Sequence, residues 1–95
     1  MKLTVKFTVD VPQSFLKWLK ANGFKRIGRS FLWKREKSVH AGCSHLVISI
    51  NAEIGSYNIQ LDWCETLRGG KSSCYDSVVW DSFKEFEERI KLYEL

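Results

Sequence analysis

Residues 45–64, HLVISINAEIGSYNIQLDWC, restrict the fold more than any other part of this chain. Leu46, Ile48, Ile50 and Ala52 alternate with Val47, Ser49 and Asn51. After Glu53-Ile54-Gly55-Ser56 the alternation resumes, with Tyr57, Ile59, Leu61 and Trp63 set against Asn58, Gln60 and Asp62. A period of two interrupted by a short Gly-Ser segment predicts an antiparallel hairpin with one dry and one wet face. Everything else must pack against that dry face.

The flanking segments supply the covering. Residues 2–9 alternate Leu3, Val5, Phe7 and Val9 with Lys2, Thr4, Lys6 and Thr8, which predicts a half-buried strand. Asp10-Val11-Pro12 then opens a helix expected over 12–21, with Asp10 as its cap and Pro12 in the first turn. Phe15, Leu16, Trp18 and Leu19 form its apolar stripe, while Lys17 and Lys20 face water. Asn22-Gly23 ends it, with Phe24 as the hydrophobic residue that follows such a stop.

Residues 24–27 and 30–36 read as a second hairpin turning at Gly28-Arg29, with Phe31 and Trp33 on one face and Leu32 and Lys34 on the other. Residues 37–44 are expected to be a loop. The polar stretch Thr66 to Asp76 is also expected to be a loop, long for a connection, with Ser77–Trp80 a short extended piece. Ser82 and Glu85 have capping-box spacing and open a final helix to about Tyr93, with Phe83, Phe86, Ile90 and Tyr93 on its apolar side.

The expected fold is therefore one α+β domain over residues 1–95. It is a four- or five-stranded, mainly antiparallel sheet with two helices packed on one face, in the order β-α-β-β-β-β-α. A chain of 95 residues with 14% aromatic side chains can fill one core without metal or disulfide. The uncovered face would display Lys2, Thr4, Lys6, Leu32, Lys34, Val47, Ser49, Asn58, Gln60 and Asp62, as a binding surface or as an ordinary solvated one.

The N-terminus alternates and carries Lys6 inside its apolar run, unlike a signal peptide or membrane span, so a cytoplasmic protein without membrane contact is expected. Three sparse cysteines, Cys43, Cys64 and Cys74, suit free thiols in a reducing compartment. His40, Cys43 and His45 form a cluster of zinc-type ligands whose spacing fits no familiar knuckle, and no third group supports a Cys-His nucleophile. Gly69-Gly70-Lys71-Ser72 echoes a phosphate loop, but Glu65 stands where its first glycine belongs. No catalytic residue, metal, cofactor or small-molecule substrate is expected, and the chain reads as a binder and not an enzyme.

Charge supplies the functional expectation. Residues 1–40 carry ten Lys/Arg against Asp10 and Glu36, a net of +8, while residues 41–95 carry a net of −4. Lys17, Lys20, Lys25, Arg26, Arg29, Lys34, Arg35 and Lys37 lie close together, interleaved with Trp18, Phe31 and Trp33. Such a pattern suits contact with nucleic-acid phosphates, with Arg68 and Lys71 as further anion contacts, although core packing accounts for the aromatics. A solvated basic face is the other reading of the cations. The expected partner is nucleic acid or a nucleic-acid-handling protein. The alternative is a small protein-protein inhibitor or adaptor of the phage or mobile-element, anti-defence type.

Residues 15–35, FLKWLKANGFKRIGRSFLWKR, resemble the opening of HicA-type toxins, RNA-cleaving proteins with a double-stranded-RNA-binding-like fold. The shared features are a helix ending in Gly23-Phe24 and a basic hairpin with a turn before Ser30. The position of the family's catalytic His is occupied by Phe31, and a strand is expected before the helix, so membership is not assigned. What the resemblance implies is RNA binding without cleavage.

Overall fold

A computed structural model describes residues 9–36, 43–53 and 56–93; the expected strand at 2–9, apart from Val9, lies outside them, as do Lys2, Thr4, Lys6, Lys37 and His40. The described elements are α1 (Gln13–Ala21), β1 (Lys25–Arg26), β2 (Leu32–Arg35), β3 (His45–Glu53), β4 (Ser56–Thr66), β5 (Ser72–Trp80) and α2 (Phe83–Arg89), followed by a 3-10 turn at Ile90–Leu92. The five strands form an antiparallel meander in the order β1-β2-β3-β4-β5. The α+β class and the two helices agree with expectation.

The central hairpin pairs Leu46 with Trp63, Ile48 with Leu61, Ile50 with Ile59 and Ala52 with Tyr57, so its alternating apolar residues share one face. On that face Trp33 is opposite Ile48, and Trp80 opposite Ile59. Phe15 of α1 meets Trp33, Phe83 and Phe86 edge-on at ring separations of 5.8, 5.0 and 5.0 Å. Trp80 meets Phe86 at 5.1 Å. Both helices therefore cover the same side of the sheet, and the Ser14 hydroxyl donates to the Glu87 carboxylate between them. Phe15, Phe86, Leu19, Leu46, Ile48, Ile59 and Leu61 are fully enclosed.

Helix α1 begins one residue later than expected. Pro12 itself is the N-cap, its backbone extended (φ −60°, ψ 144°), and its carbonyl accepts the first helical bond from Leu16 N–H at 3.2 Å. The expected cap at Asp10 does not form. The other end follows the sequence: Gly23 N–H donates to Lys20 O and Phe24 N–H to Leu19 O, the paired bonds of a Schellman stop. That stop needs Gly23 at φ +81°, and Phe24 stacks on Trp18 at 5.8 Å. In α2, Ser82 Oγ accepts from Glu85 N–H while the Glu85 carboxylate accepts from Asp81 N–H, each at 3.1 Å. The last helix is shorter than expected, finishing in the 3-10 turn.

The expected loop over 66–76 is overturned as well. Only residues 67–71 of the stretch 66–76 form a turn; residues 72–80 are a full strand paired with β4. Leu67 N–H donates to Lys71 O at 2.6 Å, with Gly69 and Gly70 at φ +85° and +78°, so Gly-Gly closes a tight hairpin. The alternation of β5 is hidden by a bulge: Trp63 faces Asp76 and Cys64 faces Cys74, leaving Tyr75 as the extra residue. Cys74 thus lies in a strand and not a loop, and Cys43 lies before β3, outside any strand as expected, with its side chain in the core.

Candidate anion-binding end of the sheet

The cations predicted from sequence divide into three groups. Arg26 and Arg35 are committed to the fold. Arg26 Nε donates to the Ser30 carbonyl at 2.7 Å, and its guanidinium stands 5.6 Å from the ring centres of both Phe31 and Trp33. It closes the β1–β2 turn. Arg35 Nη1 donates to the Asn22 carbonyl at 3.3 Å and lies 5.5 Å over Phe24, placing positive charge at the C-terminus of α1. Burial pulls the Arg35 pKa below its ordinary value, partly offset by the nearby Cys43 thiol.

A second group converges on one depression. Lys25 and Lys34 are direct cross-strand partners on the face away from the helices. With Gly23, Arg35 and Glu36 they line a depression of about 350 Å³. Lys34 Nζ is 3.2 Å from Glu36, an exposed pair that water screens heavily. Three cations against one carboxylate leave the depression positive. Lys20 lies in the last turn of α1, immediately before this point. Arg68 and Lys71 sit in or beside the 67–71 turn that follows the end of β4. The antiparallel order puts that turn at the same end of the sheet as the C-terminus of β2, two strands across and several residues further along β4.

The third group lies apart. Arg29 is in the β1–β2 turn at the opposite end of the sheet, and Lys17 is exposed along α1. The cations expected to act together are therefore not a single patch. The aromatics do not form a base-stacking platform, because Trp33 is 4% exposed and Phe31 and Trp18 are packed against the core.

The helix-free face is less open than the sequence suggests. Ser49 and His45 are buried, and Val47, Asn58, Gln60 and Asp62 are half-buried; Leu32 and Val79 are exposed. Its polar side chains bond to one another. Asn51 Nδ2 donates to Asn58 Oδ1 at 3.1 Å, and Gln60 Nε2 donates to Asp62 Oδ1 at 2.8 Å. A ladder of satisfied amides has little left to offer a ligand. The sequence did not reveal this network, although amides at alternate positions of paired strands are its signal.

His45 and Cys43 also serve the structure. His45 Nδ1 lies 2.9 Å from Ser44 Oγ, which is itself 3.1 Å from Thr66 Oγ1, and the Cys43 thiol donates to His45 O at 3.2 Å. Among the described residues no three His, Cys, Asp or Glu side chains converge as a metal site. No helix among them is long and apolar enough to cross a membrane. No family model, curated protein or solved structure matches this chain, so the likeness of residues 15–35 to the HicA-type opening rests on that segment alone.

Proposed function

We propose that the protein is a non-catalytic nucleic-acid or nucleoprotein binder that holds backbone phosphates at this end of its sheet. The supporting observation is the depression where Lys25, Lys34 and Arg35 meet, next to the end of the helix whose last turn carries Lys20, with the Arg68–Lys71 turn at the same end of the sheet. A single strand several nucleotides long has phosphates enough to meet both groups of cations. Point charges on lysine stems attract phosphate without reading bases, so the binding is electrostatic and tolerant of sequence.

The test is a titration of labelled single-stranded RNA and of duplex DNA. Five phosphate contacts, from Lys20, Lys25, Lys34, Arg68 and Lys71, give a slope of log affinity against log salt of about −3.5 for a single strand. Affinity should then fall roughly 100-fold between about 50 and 200 mM salt. The double variant K25Q/K71Q should lower affinity and flatten the slope by about 1.4 while preserving the circular dichroism spectrum. No binding of either probe at about 50 mM salt overturns the proposal and leaves a charged protein partner as the reading.

A further inference from the structure

Cys64 and Cys74 are direct cross-strand partners on β4 and β5. Such partners have Cα atoms about 4.5–5.5 Å apart, within the roughly 4.4–6.8 Å that a disulfide spans, and their side chains leave the same face. Cys74 Sγ lies 3.5 Å from Asp62 Oδ1 and 3.3 Å from the Asp76 carbonyl. Cys74 is exposed while Cys64 is buried, and all three cysteines are free thiols. Cys43 is turned to the His45 carbonyl within the core.

We propose that Cys64 and Cys74 form a thiol–disulfide exchange site, closing reversibly into a cross-strand disulfide at the expense of a low-molecular-weight disulfide of the glutathione class. Exposure sets the order of events. The Cys74 sulfur gives up its proton to solvent and attacks one sulfur of the reagent. The reagent's S–S bond breaks, one thiol leaves, and a mixed disulfide remains on Cys74. Cys64 then loses its proton and attacks the Cys74 sulfur, expelling the second thiol. The protein gives up two electrons and two protons, and one disulfide reagent becomes two thiols. Burial holds both protein thiols above their ordinary pKa, Cys64 at about 11, so exchange accelerates as pH rises. The bridge ties the base of the 67–71 turn, which carries Arg68 and Lys71, and the bulge beside it supplies local backbone freedom.

The folded, full-length protein is incubated with oxidised glutathione at about pH 8.5, then acidified, denatured and alkylated. The expected product is about 2 Da lighter, with one alkylatable thiol in place of three. Cys43→Ser should keep the bridge, and both Cys64→Ser and Cys74→Ser should lose it. Because Cys64 is buried, the exposed Cys74→Ser change is the decisive one should C64S fail to fold. Three alkylatable thiols after treatment, a stalled glutathione adduct on Cys74, or a bridge that survives in C64S would each overturn the proposal.

Discussion

Replacing Arg35 by Met separates the cations that build the fold from those free to meet a partner. Met keeps the aliphatic stem, which lies over Gly23 with Arg35 Cδ 3.6 Å from where a Cβ on residue 23 would sit. What disappears is the guanidinium, and with it at least the following interactions. Its bond to the Asn22 carbonyl is long and partly solvated, so about 1 kcal/mol is a fair share of what a charged hydrogen bond contributes. The stacking on Phe24 contributes about 0.5–1 kcal/mol, and a positive charge at the α1 C-terminus about 0.3–1 kcal/mol. Together these come to roughly 2 kcal/mol, a substantial part of the ~5–14 kcal/mol expected for a domain of this length. In thermal unfolding followed by circular dichroism, R35M should melt about 8–16 °C below the parent. R35K retains the charge but not the planar fork and should lose about half as much. K25M, exposed and without a comparable bond, should move the midpoint by no more than about 2–4 °C. Equal midpoints for R35M and K25M would refute this division of labour.

Other consequences follow from the core, the caps and the thiols. Phe15→Ala removes a fully enclosed ring touching Trp33, Phe83 and Phe86 and should cost about 3–5 kcal/mol, measured by urea unfolding. Ser82→Ala deletes the acceptor for Glu85 N–H and should cost about 1 kcal/mol, a fall of roughly 4–8 °C in Tm. Cys64 is held at about 11 in the folded protein against 9.0 for the ordinary thiol. The folded state therefore keeps its proton where the unfolded chain has lost it, and the stability this contributes is complete below pH 9 and declines as pH rises from 9 towards 11. Urea midpoints taken across that window should fall more steeply for the parent than for C64A.

The parts of the fold that could be read in advance are those where one local rule acts alone. Each strand of the β3–β4 hairpin alternates without a break, so its register follows from side-chain polarity. The Asn22-Gly23-Phe24 stop and the Ser82/Glu85 cap are short-range hydrogen-bonding devices and form as written. Strand β5 was hidden because its serines and Cys74 resemble loop composition and because the bulge at Tyr75 shifts the alternation midway. The Gly69-Gly70 turn between two segments that could pair was the available signal. For the site, the sequence shows a density of positive charge but not its direction. Lys25 and Arg26 are neighbours in the chain and leave opposite faces of the sheet, and Arg29 is carried to the far end by the turn.

That separation follows from side-chain chemistry as well as from geometry. A guanidinium is flat and weakly hydrated, so it can lie over an aromatic ring while donating to backbone carbonyls; Arg26 and Arg35 both do this. An ammonium keeps its water and extends outward, as Lys17, Lys20, Lys25 and Lys71 do. The basic run thus serves two purposes: Arg35 holds the helix end and Arg26 the β1–β2 turn, and these elements carry the lysines. A partner drawn by these contacts meets point charges at four lysines and a forked donor at Arg68 alone. If instead K25Q/K71Q bound as tightly as the parent while R35K lost affinity without losing stability, a guanidinium would be the contact, and a carboxylate-bearing protein would replace the phosphate backbone as the partner.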